Sequence, residues 1–215
     1  GTLGTTKAPV QVQLYGGSLT ASSIDRDIAI SAIGALSINQ VKVNAAGATP
    51  QGNVFLSATG DINSASAYNV ANPVVIGKNI EINSTSGAIG ATSAVVNNAS
   101  TLTNINPLVI QATGTIQANG SVDGGVLDSA SATGTYIIQS KGDLRLGTIQ
   151  STGGPVFLEA AGADGNQASI LNGRAAVEDV LLRETPTFGV RRVLMERSKL
   201  GRHEKTVSTR YGDIR

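Results

Sequence analysis

The residues of this chain that could perform acid–base or metal chemistry are few and widely spaced. Residues 1–173 hold nine carboxylates, at Asp25, Asp27, Asp61, Glu81, Asp123, Asp128, Asp143, Glu159 and Asp164. Enzymes that cleave acidic polysaccharides need carboxylates gathered in one groove, often beside a basic group or calcium. The densest pair lies in "IDRDI" at Ile24 to Ile28, which we interpret as a solvated corner. We therefore predict no catalytic residue and no metal ligand here, and keep a glycan-processing protein as an alternative.

Other catalytic patterns are incomplete. His203 is the only histidine, and no G-x-S-x-G elbow accompanies it. "AGADGNQ" at Ala161 to Gln167 is a fragment of a calcium-binding nonapeptide, which we interpret as a plain turn. The absence of cysteine excludes disulfides, Cys-zinc sites and thiol catalysis. The principal reading therefore includes no cofactor.

Composition favours strands over helices. The 215 residues include 26 glycines, only 14% are charged, and the net charge is +1. Small polar residues mixed with Val and Ile are typical of strands and tight turns. The low net charge predicts no nucleic-acid partner. Residues 82–122 carry no charge but are too polar for a membrane span, so none is expected.

A repeated phrase runs through residues 8–173. Its apolar anchors are Ile30, Leu56, Ile82, Ile110, Ile138 and Leu158. A polar residue follows each anchor, and a small residue comes next. In five of the six copies a glycine lies four positions after the anchor, at Gly34, Gly60, Gly114, Gly142 and Gly162. Alternation with period two predicts a strand in each copy, and the glycine predicts a corner. A period of 20–28 residues is typical of a solenoid.

We therefore predict an all-β fold, a right-handed parallel β-helix (solenoid) with a short α+β C-terminal fragment. A β-sandwich is the alternative, because its strands also alternate. In the solenoid, Leu56, Ile82, Ile110 and Ile138 should stack on successive coils.

The stretches "GNVFLSATGDINS", "GKNIEINSTSGAIG" and "GPVFLEAAGADGNQASILNG" resemble the filamentous-haemagglutinin-like repeats of large bacterial exoproteins. The resemblance implies a secreted or cell-surface adhesin, in which this segment is a non-catalytic shaft. The implied partners are host or neighbouring cell-surface receptors or glycans, with end-to-end self-association as a further expectation.

From Arg174 the sequence changes character. Residues 1–173 carry six basic and nine acidic residues, whereas residues 174–215 carry ten basic and six acidic ones. We predict a β-helix domain at 1–173 and an incomplete basic tail at 174–215. "AAVEDVLL" predicts a short helix, "FGVRRVLMER" a strand, and "EKTVSTRYGDIR" a second strand, a turn at Gly212-Asp213 and the start of a third.

The tail words "LLRETPTFGVRR" and "TVSTRYGDIR" resemble the C-terminal region of the nickel insertion proteins of the lactate racemase system. The matching residues are Glu184, Thr185, Thr187, Phe188, Gly189, Val190, Arg191, Arg197, Leu200, Thr206, Val207, Thr209, Tyr211, Gly212 and Arg215. The resemblance implies a cytoplasmic nickel chelatase that uses cytidine triphosphate and a pyridinium bisthiocarboxylate mononucleotide. It assigns no role to an individual residue, so cofactor-binding residues stay unknown. An adhesin shaft is the principal hypothesis, and a nickel insertion protein fragment is the alternative.

Overall fold

The computed structural model describes residues 1–44, 49–98, 105–116, 122–162, 168–173, 207–209 and 212–214. The chain divides into two compact units, Gly1–Ala176 and Val177–Arg215. Each unit is described by itself.

Two large sheets dominate the first unit. The seven-stranded sheet has the order β1-β3-β5-β8-β13-β15-β17. Its strands are β1 (Val10–Gln13), β3 (Ile28–Ile33), β5 (Val54–Ala58), β8 (Ile80–Ser84), β13 (Val126–Ser131), β15 (Leu144–Ser151) and β17 (Ile170–Asn172).

The eight-stranded sheet has the order β10-β7-β4-β6-β9-β14-β16, with β2 beside β4 and a further β10–β14 pairing. Its strands are β2 (Leu19–Ser23), β4 (Leu36–Val43), β6 (Ile62–Ser64), β7 (Val75–Gly77), β9 (Ala88–Ile89), β10 (Leu108–Ala112), β14 (Gly134–Gln139) and β16 (Val156–Ala160). A short antiparallel pair, β11 (Thr115–Ile116) and β12 (Val122–Asp123), and the helix α1 (Ser93–Asn98) complete the described elements of this unit.

Every described pairing within the two large sheets is parallel. The described residues form mostly strands, with one helix of six residues. The prediction of a mostly β structure with parallel pairing is therefore confirmed.

The first three repeats lie in the predicted register. Ile30 pairs with Leu56, and Leu56 pairs with Ile82. These side chains are at most 2% exposed, because alternate residues of each strand face the common apolar core. The polar residue after each anchor lies on the opposite side of its strand, where it is partly exposed.

The later anchors do not continue this ladder. Ile82 pairs with Ser129, whereas Ile110 lies in the other sheet, between Val75 and Gln139. The predicted stack of Ile82, Ile110 and Ile138 is therefore wrong. Leu158 pairs with Ile137 rather than Ile138, so the predicted register is also displaced by one residue there.

Interrupted strands explain this displacement. The long strand β4 pairs with β6 along its first half and with β7 near its end. β14 likewise pairs with two short strands, with β9 near its start and with β10 further along. The chain between the half-strands leaves the sheet. The step between paired residues stays at 26 from Leu56 to Ile82, but the segment between β9 and β10 helps to lengthen the next step, from Ile82 to Ser129, to 47 residues.

The repeated glycines act at corners, as predicted. Gly34, Gly114 and Gly142 have φ angles of +87°, +62° and +71°. Gly60 instead makes a close backbone approach, because a Cβ there would lie 2.9 Å from the Ala35 nitrogen. Positive φ and close approach are the two conditions that favour glycine over other residues.

A ladder of polar side chains runs along the amino ends of β3, β5 and β8. The Asn53 side chain donates from Nδ2 to Asp27 Oδ1 at 3.3 Å, and the Asn53 backbone N–H donates to the same oxygen at 2.7 Å. Asn79 Nδ2 donates to Asn53 Oδ1 at 3.0 Å, and the backbone N–H of Val126 donates to Asn79 Oδ1 at 3.0 Å. Asp25 and Arg26 are exposed, as expected of the predicted solvated corner, whereas Asp27 at its end is partly buried and holds the end of the hydrogen-bonded ladder.

A second apolar cluster covers the outer side of β14. All six residues of β14 are buried, because α1 and its flanking chain pack against the side that is turned away from the main core. Val96, Ile105 and Tyr136 belong to this cluster, and the Tyr136 and Phe157 rings stack with centroids 6.2 Å apart. Burial raises the pKa of Tyr136 above its usual value of 10.0.

The second unit contains the antiparallel pair β18 (Val207–Thr209) and β19 (Gly212–Ile214) among its described residues. A strand within "EKTVSTRYGDIR" is confirmed, but Gly212 and Asp213 are paired in β19, so the predicted turn at these two residues is wrong. The predicted helix in "AAVEDVLL" and the strand in "FGVRRVLMER" lie outside the described residues.

The polar ladder gives a first prediction. Asn53→Ala removes the side-chain partner of both Asp27 and Asn79, so we expect the free energy of unfolding to fall by about 1–3 kcal/mol, the cost of leaving partly buried polar groups unpaired. Urea denaturation measures this loss. Asn39→Ala is the matched control: Asn39 is exposed and bonds Thr20 Oγ1, so its loss should stay within about 0.5 kcal/mol. Equal losses in the two variants would contradict a structural role for the ladder.

Tyr136 gives a second prediction. Because its pKa is higher in the fold than in the unfolded chain, its contribution to stability is full below about pH 10 and is lost as the pH rises beyond that value. We expect Tyr136→Phe to lose less stability than the native chain between pH 8 and pH 11, as measured by urea unfolding at both values. Tyr15→Phe, at a side chain that is 87% exposed, should leave the native pH dependence unchanged.

Candidate functional site

A cleft of about 590 Å³ opens in the first unit beside the carboxyl ends of β4, β7, β10 and β14. Parallel neighbours bring these strand ends to one edge of the sheet, so residues far apart in sequence line one space. The volume lies within the range typical of small-molecule sites.

Basic side chains are concentrated in this cleft. Lys42, Lys141 and Arg145 line it, together with the carboxylate of Asp143. These are three of the six basic residues in residues 1–173, a region that carries a net charge of −3. The cleft therefore gathers positive charge in a region that is negative as a whole.

Strand register positions one wall of the cleft. Lys42 pairs with Ile76, and Ile76 pairs with Gln111. All three side chains are partly exposed, whereas the neighbouring Val41, Val75 and Ile110 point into the core and are fully buried. The wall is thus a row that combines a cation, an apolar side chain and an amide.

Gln139 anchors the turn that carries Lys141. It is 1% exposed, its Oε1 accepts a hydrogen bond from the Ala112 backbone N–H at 3.1 Å, and its Nε2 donates to the Ala112 carbonyl at 3.0 Å. The Lys141 carbonyl accepts from Gln139 Nε2 at 3.0 Å and from Gln111 Nε2 at 3.1 Å. Two amide side chains therefore fix the backbone of this turn.

One polar atom in the wall has no partner. Gln111 Oε1 is buried and accepts no hydrogen bond among the described residues. A buried acceptor without a donor costs free energy, so this amide oxygen is a polar group that the fold leaves unsatisfied.

The described part of the chain contains no group of three or more His, Cys, Asp or Glu side chains that could hold a metal ion. In the cleft, Asp143 is already engaged, since its Oδ1 accepts the Ser169 backbone N–H at 2.9 Å. The cleft residues therefore suit the binding of an anion better than acid–base catalysis.

Structural hydrogen bonds occupy several of the other carboxylates. Asp61 Oδ1 accepts from the Ala88 backbone N–H and from the Ser93 hydroxyl, both at 2.7 Å. Asp128 Oδ1 accepts the Thr148 backbone N–H at 2.6 Å. Asp61 and Asp143 share a position in the repeat, and each binds the backbone of a later segment.

Other described carboxylates have contacts of their own or are exposed. Asp25 forms an exposed ion pair with Arg26 at 3.7 Å, and Glu81 Oε1 accepts from Asn83 Nδ2 at 2.7 Å. Glu159 is exposed on β16. Asp123 lies in β12, while Asp164 and His203 lie outside the described residues.

Sequence reasoning did not identify the basic cleft. Lys42 is separated from Lys141 and Arg145 by about a hundred residues, and no local motif joins them. The available signal was the partly exposed strand position of Lys42, but its neighbours become known only through the pairing of β4, β7 and β10.

Comparison with known proteins concerns the C-terminal part of the chain. A family model described as "Nickel insertion protein" matches residues 171–215, about a fifth of the chain. No curated protein and no solved structure matches the sequence. In the described part of the chain, no helix is both long and apolar enough to cross a membrane.

These comparisons correct the principal functional hypothesis. The family model that matches describes nickel insertion, and nothing supports the haemagglutinin-like repeats on which the adhesin shaft and secretion depended. The repeated apolar phrase reflects parallel strand pairing, which is a requirement of the fold and not a mark of adhesion. What the comparisons support is similarity to a nickel insertion protein in residues 171–215.

Proposed function

We propose that the chain takes part in nickel insertion, and that residues 171–215 are the segment responsible. The match of this segment to the nickel insertion protein family is the observation that carries the proposal. The resemblance implies that nickel is a substrate, inserted into a pyridinium bisthiocarboxylate mononucleotide with the use of cytidine triphosphate. The cytoplasm is the compartment that this role implies.

The composition of the C-terminal segment suits these substrates. Residues 174–215 carry a net charge of +4, which favours a polyanionic nucleotide. They also contain His203, the only imidazole of the chain, and imidazole is a good ligand for Ni²⁺. The family match and this imidazole together support the proposal that this segment binds nickel.

For the β unit we propose a right-handed parallel β-helix that acts as a rigid support. The chain alternates between the two large sheets, for example from β3 to β4 and then to β5, and equivalent strands pair in parallel. Successive turns of one coil would produce this alternation. The regular step of 26 residues between Asp27, Asn53 and Asn79 supports the same arrangement.

The proposed function is tested by calorimetric titration of the full chain, prepared without a polyhistidine tag, with Ni²⁺ and with cytidine triphosphate plus magnesium. We expect saturable binding of both. His203→Gln should weaken nickel binding by roughly tenfold or more, the loss expected when one ligand is removed, and should leave nucleotide binding unchanged.

Asp128→Asn is the control. It removes one charge from the β unit but keeps an oxygen that can accept the Thr148 N–H, so nickel affinity should not change. Absence of nickel and nucleotide binding by the full chain, or an equal loss in the two variants, would contradict the proposed function.

A further inference from the structure

We propose that the cleft lined by Lys42, Lys141 and Arg145 is a binding site for a small phosphorylated molecule. This inference goes beyond nickel insertion, because every residue involved lies in the first unit and the site needs neither nickel nor cytidine triphosphate.

Charge is the first argument. Three of the six Lys and Arg side chains in residues 1–173 line one cleft, although the net charge of this region is negative. Asp143, the one carboxylate among the described residues of the lining, accepts the Ser169 backbone N–H, so it has a structural partner of its own. Several cations around one space favour a phosphate, which carries close to two charges at neutral pH, over a singly charged anion.

Rigidity is the second argument. Lys141 projects from a turn whose carbonyl is held by Gln111 and Gln139, and Gly142 completes this turn with a φ of +71°. Lys42 lies on β4, in a sheet interior. Cations on fixed backbone need little ordering when a ligand binds, which lowers the entropic cost of binding.

The lining also offers apolar contact. Ile76 and Ala112 can pack against the carbon skeleton of a ligand. A phosphate for the cations and a carbon skeleton for these two side chains together describe a small phosphorylated organic molecule, such as a sugar phosphate.

The test uses the full chain with ribose 5-phosphate as the probe, followed by calorimetry in low-salt buffer without nickel or nucleotide. We expect saturable binding at one equivalent, weaker binding of inorganic phosphate because it lacks the carbon skeleton that Ile76 and Ala112 contact, and no detectable binding of ribose because it lacks the phosphate. Lys42→Gln and Lys141→Gln should each weaken the binding of ribose 5-phosphate by about tenfold, the effect of one hydrogen bond to a charged group.

Lys7→Gln removes the same charge at an exposed position outside the cleft and should leave binding unchanged. His203→Gln should also leave it unchanged, which separates this test from that of nickel insertion. No saturable binding, equal binding of inorganic phosphate or ribose, or an equal loss in Lys7→Gln would overturn the proposal. Urea denaturation of each variant checks that all of them remain folded.

Discussion

Parallel backbone pairing between segments roughly one repeat apart determines the rest of the β unit. When neighbouring parallel strands are in register, equivalent residues of successive repeats become lateral neighbours. Ile30, Leu56 and Ile82 then form one apolar row in the core. The same geometry turns Asn53 and Asn79 into a hydrogen-bonded ladder, because each amide can both donate to one neighbour and accept from the next.

Interruption of this pairing creates the features that distinguish one side of the unit. Where β6 and β7 share β4, and β9 and β10 share β14, the chain between the half-strands leaves the sheet. The segment after β9 contains α1 and buries the outer side of β14, so this strand is buried on both sides. At the carboxyl ends of the same strands lies the basic cleft, so the outer cluster and the cleft depend on one set of pairings.

Much of the early fold could be predicted from the sequence, because equal steps of 26 residues place Ile30, Leu56 and Ile82 in one register. The 28 residues from Ile82 to Ile110 contain an inserted segment, and the chain changes sheet between them. A pattern of apolar anchors cannot distinguish this arrangement from one more regular repeat. Strands as short as β9, with two residues, carry no period of their own. Asp27 was misinterpreted because its partners, the backbone and side chain of Asn53, are 26 residues away.

The two proposals depend on different kinds of information and can fail separately. Nickel insertion rests on the similarity of residues 171–215 to a family, and its proposed nickel ligand is His203, the only histidine in the sequence. The phosphate site rests on geometry in the first unit, where Lys42, Gln111 and Lys141 are positioned by pairing and by amide hydrogen bonds. Both proposals involve anions, but the positive charge of residues 174–215 is spread over the whole segment, whereas that of the cleft stands out against a negative surrounding. A ligand that responds to Lys42 and Lys141 but not to His203 would therefore report on the β unit alone.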